Sequence, residues 1–133
     1  MLPGQVLDAL VARFPGAEVQ KWTKEEEGGV VLYDVEFKRE GLHCEADVTE
    51  NGTIDNWEKA IAAKELPAAV LAAVEKRYPK AVVDEVMQTT RVKNGKDELE
   101  GYEITLRTAE KKRVEVTVAT DGRILEDGGA SKR

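Results

Sequence analysis

The sequence predicts an α+β fold from three features. A phrase occurs twice, as "LPGQVLDALVARFPGA" at 2–17 and "LPAAVLAAVEKRYPKA" at 66–81; apolar and polar residues alternate after each copy; and an Asn-Gly or Asp-Gly pair follows each alternating stretch. The expected architecture is two helix-plus-antiparallel-strand repeats, 2–64 and 65–128, forming one continuous antiparallel sheet with both helices on one face, then a tail at 129–133. With 133 residues the chain is long enough for one domain, 1–133, with one modest core.

The helices come first in each repeat. Shifting the chain by 64 places Leu2-Pro3 on Leu66-Pro67 and Arg13-Phe14-Pro15 on Arg77-Tyr78-Pro79, so all four prolines fall in the two copies. Proline has no N–H and a φ already near the helical value, which suits it to the first helical position; it also disfavours helix for the residue before it. Each proline pair therefore brackets one helix. Val6, Leu7, Leu10 and Phe14 form an apolar stripe in the first, and Val70, Leu71, Val74 and Tyr78 form its equal in the second. At ~1.5 Å per residue each helix spans roughly 16 Å, enough to lie across a sheet.

The strands follow in matched order. "AEVQKWTKEE" and "AVVDEVMQTTRV" supply the first of each set, joined to the next by Gly28-Gly29 in one repeat and by the longer "VKNGKDELEG" in the other. "YDVEF" at 33–37 matches "YEITL" at 102–106, with Tyr33, Val35 and Phe37 pointing one way and Asp34, Glu36 and Lys38 the other. "CEADVTENGTI" at 44–54 matches "VEVTVATDGRI" at 114–124, setting Cys44, Ala46 and Val48 against Val114, Val116 and Val118. Asn51-Gly52 and Asp121-Gly122 suit two-residue hairpin turns in which both residues take positive φ, so a fourth strand is expected at 53–60 and at 123–127. For "WEKAIAAK", a short helical turn competes with the strand, since its residues are good helix formers.

Composition narrows the function. A net charge of -6 and a pI near 5 argue against a phosphate-binding surface, so nucleic acid is not an expected partner. No apolar run approaches the ~20 residues of a membrane span, so no membrane insertion is expected. Cys44 is the only cysteine and leaves the redox compartment open. No signal peptide stands at the start; Met1 directly precedes the first repeat, as it would where an export segment had been removed.

The Leu-Pro start, the apolar helix, the Phe/Tyr-Pro-x-Ala end and the strands closed by Asn/Asp-Gly resemble the PepSY-like proteins, which are related in fold to beta-lactamase inhibitor protein. The resemblance covers nearly the whole chain, twice, and rests on structural residues. It implies a bacterial, usually exported (periplasmic or secreted) domain that is not an enzyme and acts by binding a partner protein across an open sheet face, in an inhibitory or regulatory role. None of the residues by which inhibitors of that fold hold an enzyme can be matched to positions here.

The chain's own chemistry is sparse. His43 is the only histidine, on the polar side of its strand, while Cys44 beside it falls on the apolar side, so the two cannot form a catalytic dyad. One Cys and one His give no zinc spacing, and no cofactor is expected. Neither Gly28-Gly29 nor Gly128-Gly129 has the helix and lysine of a phosphate loop. The polar sheet face is the informative surface: Asp34, Glu36, Lys38, His43, Glu45 and Asp47 in the first repeat against Glu103, Thr105, Arg107, Arg113, Glu115 and Thr117 in the second. The first is the more acidic. Trp22 suits core filling as well as binding, and Trp57, among polar neighbours, is equally suited to a buried or a partly exposed place.

Two functions remain. One is a non-catalytic binding or inhibitory module of the bacterial envelope using Asp34, Glu36, His43, Glu45, Asp47 and Trp57 as a partner-binding surface. The other is a calcium-type cation-binding protein using the same carboxylates, although no Asp-x-Asp-x-Asp-Gly loop accompanies them. The chain is expected as a monomer or as a homodimer formed through an edge strand.

Overall fold

The computed structural model describes residues 1–129, so residues 130–133 of the expected tail lie outside the described residues. Among the described residues there are two α-helices and eight strands: α1 (Gly4–Arg13), β1 (Glu18–Glu27), β2 (Val30–Arg39), β3 (Leu42–Thr49), β4 (Ile54–Ile61), α2 (Ala68–Arg77), β5 (Val82–Lys93), β6 (Lys96–Arg107), β7 (Arg113–Ala119) and β8 (Ile124–Asp127). The strands form one antiparallel sheet in the order β1-β2-β3-β4-β5-β6-β7-β8. The chain groups into two compact units, residues 1–59 with 90–98, and residues 60–89 with those from 99 on.

The helix boundaries follow from the prolines, one position away from where the sequence placed them. Pro3 and Pro67 are cap residues with ψ of 147° and 149°, rather than first helical residues. Their fixed φ fits, and each carbonyl accepts the N–H four residues on, from Leu7 and Leu71 at 3.1 Å. At the other end Phe14 and Tyr78 donate their N–H to Leu10 and Val74, and the prolines that follow cannot continue the ladder. Arg39 of β2 then donates from Nε to the Pro15 carbonyl at 3.0 Å, tying the end of α1 to the sheet.

In the first unit Val6, Leu10 and Phe14 of α1 lie over Tyr33, Val35 and Phe37 of β2 and Cys44, Ala46 and Val48 of β3. Full burial of a side chain such as Phe37 or Leu10 stabilises by about 1.5–3 kcal/mol. In the second, Val70 and Val74 of α2 lie over Tyr102, Ile104 and Leu106 of β6 and Val114, Val116 and Val118 of β7. The stripes are narrower than the sequence suggested. Leu7 is 40% exposed and Leu71 36%, because only positions spaced by four point straight down onto a flat sheet.

The connections differ most from expectation. Asn51 and Asp121 do not take positive φ; only Gly52 (φ 88°) and Gly122 (φ 94°) do. Gly52 N–H donates to Thr49 O and Thr49 N–H to Thr53 O, and Gly122, Ala119 and Arg123 repeat that arrangement, which is a type I turn closed by a glycine bulge. These glycines also let the helices approach: a Cβ on Gly52 would stand 3.0 Å from Gln5 O, and one on Gly122 2.7 Å from Ala69 O. Tight two-residue turns with positive φ at both positions occur instead at Gly28-Gly29, Glu40-Gly41 and Asn94-Gly95. "VKNGKDELEG" is therefore no long loop: β5 and β6 run through it to Asn94-Gly95, each 12 residues long. "WEKAIAAK" is strand to Ile61, and only Ala63–Glu65 winds into a single 3-10 turn, its start held by the Ala62 N–H donating to Glu65 Oε2 at 2.8 Å.

Candidate functional site

The outer face of the first unit is built by alternation. Because Tyr33, Val35, Phe37, Cys44, Ala46 and Val48 turn inward, Asp34, Glu36, Lys38, His43, Glu45 and Asp47 turn outward. The register then decides which of them meet: Asp34 stands opposite Asp47, Glu36 opposite Glu45, and Lys38 opposite His43. The next strands extend the rows. Asn56 is opposite Asp47 and Glu58 opposite Glu45, while Thr23 is opposite Asp34 and Lys21 opposite Glu36.

Three pairs of like charges thus face one another across neighbouring strands: Asp34 with Asp47, Glu36 with Glu45, and Glu45 with Glu58. Such pairs destabilise a sheet. Glu36 is compensated, with Lys21 Nζ 3.3 Å and His43 Nε2 3.4 Å from its two oxygens. Asp34 is not offset to that degree. Burial among its neighbours raises its pKa first, Glu45, Glu25 and Glu36 add repulsion, and a hydrogen bond with Glu45 raises it further, so that it is pushed up from 3.8 to about 6. Burial also raises Asp47, helped by Asp34, Glu25 and Asp55 and opposed by the Asn56 amide.

Trp57 does not join this face. It stands opposite Ala46, whose side chain is in the core, so the indole lies on the inner side of the sheet. There it meets the Phe14 ring edge-on at 5.2 Å, with the Arg13 guanidinium 5.1 Å from its centroid. Its Nε1–H donates to Asp97 Oδ1 at 3.3 Å, and Asp97 also pairs with Arg13. The tip of the β5–β6 hairpin, which belongs to the first unit, is therefore anchored on α1 and β4 by one carboxylate. That contact was not foreseen in the sequence, where its only signal is the extra length of "VKNGKDELEG". Trp22, opposite Val35, is also inward and packs against Tyr33 at 5.9 Å, the core-filling place.

His43 is half-buried on the outer face and Cys44 buried on the inner one, so they form no dyad. Burial pushes the Cys44 thiol up, with Arg39 and Lys59 opposing, and its S–H points to Leu42 O at 3.7 Å. Among the described residues no group of three His, Cys, Asp or Glu side chains is placed to hold a metal ion, and no helix is long and apolar enough to cross a membrane.

In the second unit the residues expected on the polar face pair differently, and Thr105 among them is buried. Glu103 is opposite Thr117, Thr105 opposite Glu115, and Arg107 opposite Arg113. Arg107 is held by a two-pronged pair with Asp84 at 3.0–3.1 Å, which keeps the Asp84 carboxyl below the usual range. At the inner end of β8, Asp127 accepts from Arg77 Nε at 2.6 Å, from the Tyr78 hydroxyl and from the Gly129 N–H at 3.0 Å. Burial would raise Asp127, but these three donors together hold it below 3.8.

No family model matches the chain. No curated protein matches it. Solved structures do. A BLIP-like protein from Bacteroides fragilis, BLIP being beta-lactamase inhibitor protein, aligns over 96% of this chain and 85% of its own at a TM-score of 0.65 and 22% identity. A DUF2874 family protein from Bacteroides uniformis covers 96% and 88% at a TM-score of 0.73 and 16% identity. A protein from Bacteroides eggerthii, inferred to be periplasmic, covers the same shares at a TM-score of 0.74 and 17% identity. The fold of this chain is that of the BLIP-like proteins.

Proposed function

We propose that the chain is a non-catalytic binding module of the bacterial envelope, with an inhibitory or regulatory role, that takes a cationic protein surface onto its outer face at Asp34, Glu36, His43, Glu45 and Asp47. The observation that carries this is the register: three like-charge pairs in adjoining rows, on a face where alternation could equally have placed Lys opposite Glu. The Asp34–Asp47 pair works most against the sheet, since burial and neighbouring carboxylates raise both pKa values. A partner's Lys or Arg seated between two such carboxylates turns the repulsion into attraction and steers the encounter. The likeness in fold to a BLIP-like protein supports binding through the sheet, and the PepSY-like signature is part of the same reading. The structural neighbour inferred to be periplasmic supports the envelope as its place. Trp57, on the inner side, is no part of the surface proposed.

A calcium-type cation is the less favoured occupant. It needs several converging oxygens, and no described group of three acidic or imidazole side chains converges in that way, whereas an ammonium or guanidinium needs only one or two carboxylates. A photo-crosslinking residue at position 43, on the outer face, tests the proposal against one at position 72, exposed on α2. A discrete crosslinked protein from position 43 alone, in source cells, is the expected result; equal products from both positions, or from neither, reject it.

A further inference from the structure

Strand β1 is an edge of the sheet, with β2 on one side of it and no described strand on the other. Such an edge offers a row of backbone N–H and C=O groups to a further strand. The other edge strand, β8, is four residues long, a length that blunts an edge, whereas β1 runs for ten. A bulge between Val19 and Lys21 leaves residues 21–27 in regular register with β2. Lys21, Thr23 and Glu25 turn outward there, opposite Glu36, Asp34 and Leu32, while Trp22 and Lys24 turn inward, opposite Val35 and Tyr33. The inner side carries apolar surface close to this edge. Ala9, Ala12 and Arg13 line a cavity shared with the β5–β6 hairpin, so Leu7 and Val11, 40% and 45% exposed, lie on the flank of α1 nearer β1.

We propose that β1 pairs antiparallel with β1 of a second copy of this chain, about a two-fold axis that passes through Thr23 normal to the sheet. That axis keeps both inner faces on one side, so a residue can oppose only one of its own face, and the centre of the pairing then sets every contact. Centred on Thr23, Lys21 stands opposite the partner's Glu25 and Glu25 opposite the partner's Lys21, two ion pairs on the outer face. On the inner face Trp22 stands opposite the partner's Lys24, also twice, where an ammonium can lie over an indole. The other centres do worse. Trp22 as centre yields no ion pair in the regular stretch, and every charged residue as centre sets a charge against its own copy. An inward lysine and a bulge are common means of keeping an edge unpaired. Here they select one register: the five residues at its heart, 21–25, clear the bulge, and Lys24 meets an aromatic ring rather than another cation. The exposed Leu7 and Val11 of both copies then flank the joined strands.

Sedimentation equilibrium of the whole chain from about 5 to 500 μM reads the association, since an interface at the small end of the specific range dissociates in that window. A monomer to dimer equilibrium is expected. Lys21→Glu and Glu25→Lys, each alone, replace two attractive pairs by two repulsive ones and should weaken the dimer about tenfold or more; the two together reverse both pairs and should restore it to within about threefold. Thr23→Cys places a thiol on the axis with the two Cα atoms about 5 Å apart, within reach of a disulfide, so oxidised glutathione should give a covalent dimer. Glu27→Cys, roughly 27 Å from its copy, should not. The native Cys44 is buried and stays out of this readout. All four positions lie on the exposed side of β1, and circular dichroism reports the fold of each variant. A chain that stays monomeric at about 500 μM, a dimer indifferent to Lys21→Glu or not restored by the double exchange, or crosslinking at position 27 equal to that at position 23, overturns the proposal.

Discussion

Replacing Asp34 by Asn removes a carboxylate that the fold resists. The free acid ionises at 3.8 and the folded one at about 6, a difference of about 2 pH units, which at 1.36 kcal/mol per unit is about 3 kcal/mol. Asp34 is only half-buried, so solvent screening brings the realistic figure to about 1–2 kcal/mol. The sign follows from linkage. A raised folded pKa means that the folded state holds its proton more tightly than the unfolded chain, so the favourable contribution is complete below pH 3.8 and is lost as pH rises to about 6. The amide that Asp34→Asn introduces has no charge to gain over that range. The variant should therefore match the parent near pH 3.5 and exceed it by about 1–2 kcal/mol at pH 7.5, a rise in melting temperature of about 3–10 °C. Urea unfolding of both proteins across that range measures the difference. A variant less stable than the parent at pH 7.5, or an advantage that does not change with pH, would refute the reasoning.

Asp127 should respond in the opposite sense, because its donors depress its pKa: the stability it confers is present above the unfolded value and lost as pH falls through the folded one. Asp127→Asn is expected to cost about 1–3 kcal/mol at pH 7 in urea unfolding, with the gap closing in acid. Asp97→Ala removes the acceptor shared by Arg13 and Trp57, an exposed arrangement, and should cost only about 0.5–1 kcal/mol while shifting the Trp57 emission to longer wavelength. The turn glycines should rank by what a Cβ would meet. Gly122→Ala, 2.7 Å from the Ala69 carbonyl, is expected to cost about 2–3 kcal/mol, Gly52→Ala somewhat less, and Gly28→Ala about 1 kcal/mol for its positive φ alone, all read by urea unfolding.

The doubled phrase and the period-two runs were enough to find both helices, the eight strands and the inward residues of β2, β3, β6 and β7, because hydrophobic spacing is what a sheet under a helix reads. Leu7 and Leu71 were misjudged for a geometric reason: a 3.6-residue helix on a sheet buries a narrower stripe than the apolar letters allow. The Asn-Gly turns were legible as turns but not as to type, since a bulge and a two-residue turn use the same letters. The outer-face carboxylates were readable from alternation. Their direct opposition was not, because it depends on register, which the Glu40-Gly41 turn sets. Trp57 could have been placed correctly: pairing back through the Asn51-Gly52 turn brings it opposite Ala46, an inward position. Its polar neighbours in sequence pointed the wrong way, because neighbours along a strand face the opposite side. Asp97's contacts could be read only from the extra length of "VKNGKDELEG", since its partners lie 84 and 40 residues away.

The central claim is that the outer face keeps the carboxylates around Asp34 and Asp47 close together, at a cost to the sheet, for a partner's benefit. The most direct test joins stability and binding in one protein carrying Asp34→Asn, Glu45→Gln and Asp47→Asn, used beside the parent to capture proteins from an envelope extract of the source cells at low and high salt. The account predicts that the variant unfolds at higher urea than the parent at pH 7.5 and yet fails to retain a protein that the parent holds at low salt and releases at high salt. A variant that is less stable, or that retains the same protein as the parent, would contradict it.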